Sequence, residues 1–412
     1  MNHIIHNMFI VADLHIHSKY SRATSKQTDL EHLDEAAKIK GVDVLSVGDF
    51  THPAWFAEIK KKLKEKEPGL FSLGDSAVRF ILTTEISCIY KKNDKVRKIH
   101  LLVFAPNLET VAKINVKLGA IGNLKADGRP ILGLDAKELL KIVLDISPDC
   151  MVIPCHAWTP WFSIFGSRSG FDSIKECFDD HTKYIYGIET GLSSDPAMNW
   201  RLSALDNIAL ISCSDAHSPA KVAREACVFE TELSYQGIIG AIKRKNSKEF
   251  LYTIEFFPEE GKYHYDGHRV CGIVFDPAQT KKCNGICPVC KKALVEGVLG
   301  RVEQLADRPQ GAMPTKAIPF KRLIPLEEII AEVFGVGIAS KRVKAAYQNI
   351  IQNFGAELDI LISSSLNGFP LPEVKEAILR VRQGKVEIQP GYDGVYGKIK
   401  IAGLTLVQKK LC

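Results

Sequence analysis

The sequence predicts an α/β barrel with a metal site at one mouth. Apolar runs that indicate buried strands alternate with helical segments, which favours βα units; the runs cover residues 42–47, 78–82, 99–103, 151–154 and 184–188. The pairs His15-Ile16-His17 and Asp215-Ala216-His217 each place two potential metal ligands two residues apart. Residues with this spacing lie on the same face of a strand. Because a barrel of parallel strands gathers strand-end residues at one mouth, the two pairs predict a shared site.

The length and charge of the chain leave room for more than a barrel. The 412 residues exceed the roughly 250 that a barrel needs. From Gly261 to the end there are 22 Lys/Arg and 14 Asp/Glu, whereas the first 260 residues hold 32 basic and 34 acidic residues. This distribution suits a catalytic domain joined to a module that binds a polyanion, although ordinary surface charge could produce the same count.

Helical and turn patterns divide the chain into three parts. Helices are predicted over residues 30–39, 55–66, 138–145 and 235–245, and Asn93-Asp94 predicts a hairpin turn. The pattern breaks at residues 256–262, and four prolines between residues 307 and 325 indicate an extended strap. Helical sequence begins at Leu326, and β-like sequence covers residues 386–407. The predicted units are a catalytic barrel (1–255), a metal-binding region (256–308) and a helical C-terminal domain (309–412).

Histidines and carboxylates near the predicted strand ends form one candidate metal cluster. The proposed ligands are His15, His17, Asp49, Glu85, His100, His156, Asp215 and His217, with His52 and Glu189 as open candidates. A lone core histidine is usually structural, but burying this many ionisable groups without a metal would be costly. Two or three divalent metals are expected, and zinc, manganese and magnesium all accept parts of this ligand set. Such metals bind a phosphate and stabilise its attacking and leaving oxygens, which predicts phosphoester hydrolysis.

Several segments carry a resemblance to known families. The ordered motifs of the PHP (polymerase and histidinol phosphatase) superfamily are matched at Asp13–Ser18, Gly48–Pro53, Thr84–Ser87, Pro154–Ala157 and Ser214–Pro219. The chain also resembles the endonuclease Q family at Gly128–Gly133, Gly187–Asp195, Gln389–Gly394 and a cysteine cluster. The resemblance implies a distorted (β/α)7 barrel, a small zinc-binding region and a helical C-terminal domain. It also implies a nick on the 5′ side of a deaminated base (uracil, hypoxanthine or xanthine) or of an abasic site.

The chain departs from the wider PHP pattern at two positions. Ala23 and Phe50 stand where many members of the superfamily carry histidine, so Asp49 is expected to act as a ligand instead. Asp215 is the first candidate catalytic residue because it could bridge a metal and the nucleophile. Glu189 is the second, as a ligand, a partner of a ligand or a substrate contact.

Four of the eleven cysteines lie within twenty residues and predict a structural zinc. Cys271, Cys283, Cys287 and Cys290 include one CxxxC and one CxxC spacing, as in tetrahedral four-thiolate sites. A redox role is not favoured, because no thioredoxin-like βαβ pattern surrounds them. His264 and His268 nearby are expected to be ordinary structural or surface residues. The scattered remaining cysteines indicate a reducing cytoplasm rather than a disulfide framework.

Two segments are candidates for contact with DNA. Residues 326–344 are similar to a helix-hairpin-helix motif, in which a helix N-terminus with nearby cations binds a phosphate; the candidate contacts are Gly335, Gly337, Ser340, Lys341, Arg342 and Lys344. A plain helical turn is the alternative. The aromatic loop after His156 offers Trp158 and Trp161, which either contact DNA or belong to the core.

Together these patterns predict a cytoplasmic, monomeric, metal-dependent endonuclease that acts on damaged double- or single-stranded DNA. The alternatives are a small-molecule phosphoesterase of the PHP type, a 3′–5′ DNA exonuclease and a DNA-binding protein without activity. No apolar run approaches the roughly 18 residues that a membrane span needs, and residues 1–9 show no secretory signal. The terminal segment Gln408–Cys412 lacks the aromatic pair of the sliding-clamp peptide found in some relatives, so that partner is not predicted.

Overall fold

The computed structural model describes residues 9–404, which form a mixed α/β structure. The elements of residues 9–255 are β1 (Phe9–Asp13), α1 (Leu30–Lys40), β2 (Val44–Ser46), α2 (Pro53–Lys62), β3 (Leu63–Glu67), β4 (Leu70–Leu73), β5 (Arg79–Ile81), β6 (Thr83–Lys92), β7 (Lys95–Phe104), α3 (Leu108–Gly119), β8 (Ile131–Leu132), α4 (Ala136–Ile146), β9 (Met151–Pro154), α5 (Ile174–Phe178), β10 (Gly187–Glu189), α6 (Pro196–Asn199), β11 (Ala209–Ile211), β12 (Ala226–Glu230), α7 (Tyr235–Arg244) and β13 (Phe250–Glu255).

The elements described after residue 255 are short strands and helices. They are β14 (Asp266–His268), β15 (Ile273–Phe275), α8 (Pro277–Lys282), α9 (Val298–Leu305), β16 (Phe320–Arg322), α10 (Leu326–Phe334), α11 (Lys341–Phe354), α12 (Glu357–Ile362), α13 (Pro372–Arg382), β17 (Val386–Gln389) and β18 (Lys398–Ile401). Within residues 9–404, no helix is both long enough and apolar enough to span a bilayer.

Three sheets contribute the strand ends around the candidate site. Their strand orders are β16-β13-β12-β1-β2-β5-β4-β3, β8-β6-β7-β9 and β10-β11. Backbone hydrogen bonds connect one sheet to the next. The N–H groups of Ala105, Ala157 and Asp215 donate to the backbone carbonyl oxygens of Leu82, Glu189 and His15, at 3.0, 2.9 and 2.9 Å respectively. Distant candidate ligands therefore meet on one side of the strands.

The strands are not all parallel, as they would be in a regular barrel. Strand β7 runs antiparallel to both β6 and β9, and β12 runs antiparallel to β1 and β13. The cause for β7 is the Asn93-Asp94 hairpin, which is confirmed, with φ of 53° and 56° at its two residues. A two-residue loop joins only antiparallel strands.

Most predicted helices of the first part are confirmed, with one exception. α1, α4 and α7 lie close to their expected bounds, and α1 ends at Gly41, whose φ of 82° suits glycine. The predicted helix over residues 55–66 instead ends at Lys62 as α2. Residues 63–67 form β3, which pairs antiparallel with β4. Strand pairing across the Pro68-Gly69 turn outweighs the helix propensity of this lysine- and glutamate-rich segment.

The core holds the loop after β2 in place beneath the candidate site. Trp55 is fully buried, and its indole N–H donates to the backbone oxygens of Val47 and Gly48 at 3.1 and 2.9 Å. Gly48 itself approaches the Ile16 carbonyl so closely that an added Cβ would lie 2.5 Å from that oxygen. The loop that carries Asp49 is thereby locked against the His15–His17 segment.

Candidate metal centre

Four predicted ligands form a first donor group at the mouth of the strands. His15, His17, Glu85 and Asp215 each place one ligand atom within 4.8 Å of the others. His17 Nε2 lies 3.1 Å from both Glu85 Oε2 and Asp215 Oδ1, and His15 Nε2 lies 3.7 Å from Glu85 Oε2. Two imidazoles with two carboxylates form a donor set that divalent metals accept.

Unpaired polar atoms in this group fit a bound cation. Among residues 9–404, His15 Nε2, His17 Nε2 and Asp215 Oδ1 are buried without a hydrogen-bond partner. Leaving three such atoms unsatisfied would be costly, and buried polar atoms are nearly always paired. All three face the centre of the group, where a metal ion would satisfy them.

The opposite ring nitrogens of both histidines are held by carboxylates. His15 Nδ1 lies 2.9 Å from Glu189 Oε1, and His17 Nδ1 lies 2.9 Å from Asp49 Oδ1. Such contacts orient a metal-binding histidine and direct its Nε2 to the metal. Asp49 and Glu189 therefore support the two histidines, and Glu189 also forms a candidate ligand group with His15 and Cys155.

The predicted ligand Asp49 has hydrogen-bond partners at both carboxylate oxygens. Asp49 Oδ2 accepts from the backbone N–H and hydroxyl of Ser18 at 2.6 and 2.7 Å, and from the Ser21 hydroxyl at 2.8 Å. With Oδ1 against His17, both oxygens are already engaged. Glu189 is similar, because its Oε2 accepts from His156 N–H at 2.7 Å.

A second donor group shares Glu85 with the first. Glu85 Oε1 lies 2.6 Å from His100 Nδ1 and 3.1 Å from His156 Nε2, and the three residues form one cluster of candidate ligands. Glu85 Oε2 faces His15 and His17 instead. One carboxylate thus presents its two oxygens to two separate histidine groups, which is how a bridging ligand joins two metals. Unlike the expected strand-end positions, Glu85 and His100 lie inside the long strands β6 and β7.

Two further candidates lie beside these groups. His217 is 31% exposed, and its Nδ1 lies 2.8 Å from the Asp215 carbonyl oxygen. Its ring is 4.5 Å from that of His17, yet it belongs to none of the donor groups found among the described residues. His52 stacks on Tyr20 at 4.3 Å and is likewise outside them. His217 therefore flanks the first donor group, and its ligand role stays a prediction.

The charges of the donor groups are strongly coupled. Burial lowers the pKa of His15 and His17, but Glu189 and Asp49 outweigh it and raise both pKa values well above the ordinary value. Burial raises the pKa of Glu85, but His100 and Arg129 outweigh burial. The pKa therefore lies well below its ordinary value, and the carboxyl is ionised. Burial lowers the pKa of His100 to about 4, so this ring is neutral and able to act as a ligand.

Three residues of the site have an unusual backbone conformation. Asp49, His156 and Asp215 adopt positive φ values of 46°, 28° and 48°. Non-glycine residues rarely adopt this region, and such strain is concentrated at functional sites. The three unusual conformations therefore coincide with the residues that form or support the donor groups.

Asp13 is a positioning residue that the sequence reasoning missed. Its buried carboxylate accepts from the backbone N–H groups of Ser214 and Ala223 at 3.0 and 2.9 Å. It thereby ties the loop that carries Asp215 to the end of β1, two residues before His15. Burial raises the pKa of Asp13 to about 6. The sequence did contain a hint of this role. Asp13 lies two residues before His15, so it continues the alternating pattern of His15 and His17.

A cluster in residues 256–308 differs by one residue from the predicted zinc ligands. His268, Cys271, Cys287 and Cys290 place their ligand atoms within 4.8 Å of one another. Cys283 lies outside this cluster, and its thiol donates to the Thr280 carbonyl at 3.3 Å. The hairpin of β14 and β15 brings His268 next to Cys271, with His268 Nδ1 3.5 Å from Cys290 Sγ. Three thiolates with one imidazole form a set that suits a structural zinc.

A pair of variants distinguishes the His268-containing cluster from the four-cysteine prediction. We expect His268→Ala to lose the zinc of this cluster and to lower the thermal stability of the protein, because a structural zinc contributes directly to folding. Cys283→Ser serves as the matched control and is expected to keep the zinc. Elemental analysis of the purified proteins distinguishes the two sets. Zinc loss in Cys283→Ser but not in His268→Ala would restore the four-cysteine prediction.

Comparison with known proteins relates the chain to a family. Residues 325–385 match the MJ0043 C-terminal domain family. The uncharacterized protein MJ0043 of Methanocaldococcus jannaschii is 34% identical over 254 residues, which are 59% of this chain, and the chain spans only 31% of that protein. The crystal structure of the lesion-specific endonuclease PfuEndoQ from Pyrococcus furiosus is 33% identical, with a TM-score of 0.85 and 96% of each chain covered. The chain belongs to the endonuclease Q family.

A second structure of the family is similar over the full chain. An endonuclease Q in complex with a 27-mer duplex substrate, with an abasic lesion at the active site, is 33% identical with a TM-score of 0.84. The match covers 98% of this chain and 100% of that one. As a member of this family the chain is an endonuclease, and its two linked donor groups agree with the metal-dependent class that the sequence predicted.

The two tryptophans proposed as DNA contacts of this endonuclease differ in the structure. Trp158 is buried, and its indole N–H donates to Asn199 Oδ1 at 2.8 Å. Its DNA-binding prediction is corrected, because a tryptophan with a satisfied N–H inside the core cannot reach a ligand. Trp161 is 44% exposed and makes an edge contact with Tyr263, with ring centroids 6.0 Å apart. It remains a candidate.

The predicted hairpin of this endonuclease joins α10 to α11. Gly335 ends α10 with a φ of 61°, and the Ser340 side chain begins α11 by accepting from Val343 N–H at 3.2 Å. The candidate cations Lys341, Arg342 and Lys344 are exposed on the first turns of α11. The free N–H groups of that helix end and these cations together suit an anion.

Proposed function

We propose that this protein is a DNA repair endonuclease that hydrolyses the phosphodiester bond 5′ to a deaminated base (uracil, hypoxanthine or xanthine) or to an abasic site. The observation that carries the proposal is the placement of Glu85 between two histidine-containing donor groups. The complex of its relative with an abasic duplex supports DNA as the substrate.

The donor groups suit two divalent metals, with zinc, manganese and magnesium as the candidates and a third position open. When bound, two such metals hold a phosphate and stabilise the attacking and leaving oxygens of an in-line displacement. Glu85 would be shared, His15, His17 and Asp215 would serve one side, and His100 and His156 the other. Asp215 is 26% exposed, so it is the carboxylate of these groups that opens to the mouth and can contact substrate.

The remaining predictions complete the proposal. Residues 1–255 would form the distorted (β/α)7 barrel, residues 256–308 the zinc-binding region and residues 309–412 the helical domain. The α10–α11 hairpin would hold the phosphate backbone through Gly335, Gly337, Ser340, Lys341, Arg342 and Lys344, so binding should weaken steeply with salt. We propose a monomer that acts in the cytoplasm. The clamp-peptide position at Gln408–Cys412 lies outside the described residues.

Nicking of a closed circular duplex with one deoxyuridine tests the proposed function. With magnesium or manganese, the wild-type protein is expected to make one cut on the 5′ side of the lesion. Asp215→Ala should reduce this to background, because it removes one of the three unpaired buried ligand atoms. Asp145→Ala, an exposed helix position paired with Lys141, is the matched control and should cut normally.

The same substrate separates the alternative functions. A circular duplex has no ends, so an exonuclease cannot degrade it before a nick. The proposal would fail if neither the deoxyuridine duplex nor its hypoxanthine or abasic analogue were cut while small phosphomonoesters released phosphate. Equal cutting of an undamaged circle would keep the endonuclease but remove the lesion specificity.

A further inference from the structure

Arg129 places its guanidinium against the shared carboxylate of the metal centre. Arg129 Nη1 donates to Glu85 Oε2 at 3.0 Å, and the same oxygen lies 3.1 Å from His17 Nε2. Arg129 lies in the Gly128–Gly133 segment that resembles endonuclease Q, but the sequence alone predicted no role for it. Its charge lies within the donor groups because β8 pairs with β6 immediately after it.

The backbone before and after Arg129 is tightly held. Gly128 N–H donates to Tyr20 O, and Ser87 N–H donates to Pro130 O, each at 3.0 Å. Gly128 packs on the acid behind His17, and an added Cβ would lie 2.4 Å from both Asp49 Oδ2 and Ser21 Oγ. This close approach, which glycine allows, presses the segment onto the mouth of the site.

Two of the three guanidinium nitrogens remain available to a ligand. Within residues 9–404, Nη1 has an acceptor, Glu85 Oε2, whereas Nε and Nη2 have none. The Arg129 side chain is 27% exposed. The acids that face it are Glu85, Asp215 and Asp127, and they keep it firmly charged. Arginine presents its donors as a planar fork that matches two phosphate oxygens, and it cannot serve as a proton donor.

We propose that Arg129 binds a non-bridging oxygen of the phosphate that is cut, with Nε and Nη2 as the donors. The inference rests on the proposed function. Arg129 would hold the phosphate against the two donor groups and offset the charge that builds on its oxygens as the phosphodiester bond breaks. The contact with Glu85 positions the guanidinium for this role, since it engages Nη1 and leaves Nε and Nη2 without a protein acceptor among residues 9–404.

Nicking kinetics of Arg129→Ala and Arg129→Lys test the inference. We expect Arg129→Ala to lower kcat by roughly a hundredfold, as removal of one preorganised oxyanion donor does, and Arg129→Lys to recover part of this. Added guanidinium chloride should restore part of the activity of Arg129→Ala, whereas equal sodium chloride should not. Arg244→Ala, which removes an exposed arginine paired with Glu249 on α7, is the control and should match the wild type.

Metal content and melting temperature separate substrate binding from a structural role. If Arg129 binds the phosphate, Arg129→Ala keeps its metals and its melting temperature and responds to guanidinium. Loss of metal without guanidinium rescue, or wild-type kinetics in Arg129→Ala, would overturn the inference. If the wild-type protein does not nick the deoxyuridine duplex, the proposed function fails first.

Discussion

Replacing Glu85 with glutamine is expected to abolish measurable nicking of the deoxyuridine duplex and to remove metal from both donor groups. Glu85 is fully buried, and its two oxygens serve the His15–His17 side and the His100–His156 side. Glutamine keeps the shape but removes the negative charge that both sides share. Metal ions contribute several kcal/mol to such reactions, which corresponds to at least roughly a thousandfold in rate. Rate measurement together with elemental analysis checks the result.

Glu225→Gln is the matched control for this experiment. Glu225 is also fully buried, but burial and the neighbouring Glu255 raise its pKa well above the ordinary value. Glutamine is then close to an isostere of the neutral acid, so we expect nearly normal nicking and metal content. Full metal content in Glu85→Gln would contradict the bridging role, even if activity fell.

Replacing Lys40 with methionine is expected to destabilise the folded protein by about 3–5 kcal/mol, the usual cost of leaving one member of a buried ion pair alone. Lys40 on α1 lies 2.5 Å from Glu357 Oε2 on α12, and both side chains are nearly inaccessible to solvent. Glu357 also accepts from Tyr347 O–H at 2.6 Å and from Leu326 N–H at 3.0 Å. Without Lys40, the negative charge of Glu357 would stay buried without a cationic partner. Denaturant unfolding measures the change.

Lys141→Met provides the control for the stability experiment. Lys141 pairs with Asp145 on one exposed face of α4, and an exposed pair contributes at most about 1 kcal/mol. A similar loss of stability in both variants would mean that burial of the Lys40–Glu357 pair has no special effect.

The Lys40–Glu357 pair also predicts how stability depends on pH. Burial raises the pKa of Glu357, but Lys40 and Tyr347 outweigh it and lower the pKa below its ordinary value of 4.5. An acid with a lowered folded pKa stabilises the protein above the unfolded pKa. This contribution is therefore complete above the ordinary pKa of glutamate and is lost as the pH falls through the lower folded value. In Lys40→Met this acid-side loss should be smaller than in the wild type.

Residue types and spacing in the sequence were enough to predict most of the histidine and carboxylate cluster. His15, His17, Glu85, His100, His156 and Asp215 were all expected to meet, and the structure places each in a donor group. Their convergence was predictable because burying so many ionisable side chains is tolerable only where they share a cation. The hairpin at Asn93-Asp94 was equally predictable, since its turn chemistry is local.

Which atom faces which neighbour was decided by the tertiary structure. Asp49 and Glu85 look equivalent as acids near strand ends, yet Ser18, Ser21 and His17 engage both oxygens of Asp49, while Glu85 faces two histidine groups. Likewise His268 joins the three cysteines of the second cluster because β14 and β15 pair and bring it beside Cys271.

The sequence by itself determined the class of chemistry. The type of ligand depends on residue identity, and the positions of the strands depend on the local apolar pattern. The tertiary structure alone decided the division into ligands, supporting acids and core residues, such as the buried Trp158. It also placed Arg129 on the carboxylate shared by both donor groups. The physical reason is that hydrogen bonds and metal ligation depend on ångström-scale distances between residues far apart in the chain, and these distances are set by strand pairing and packing.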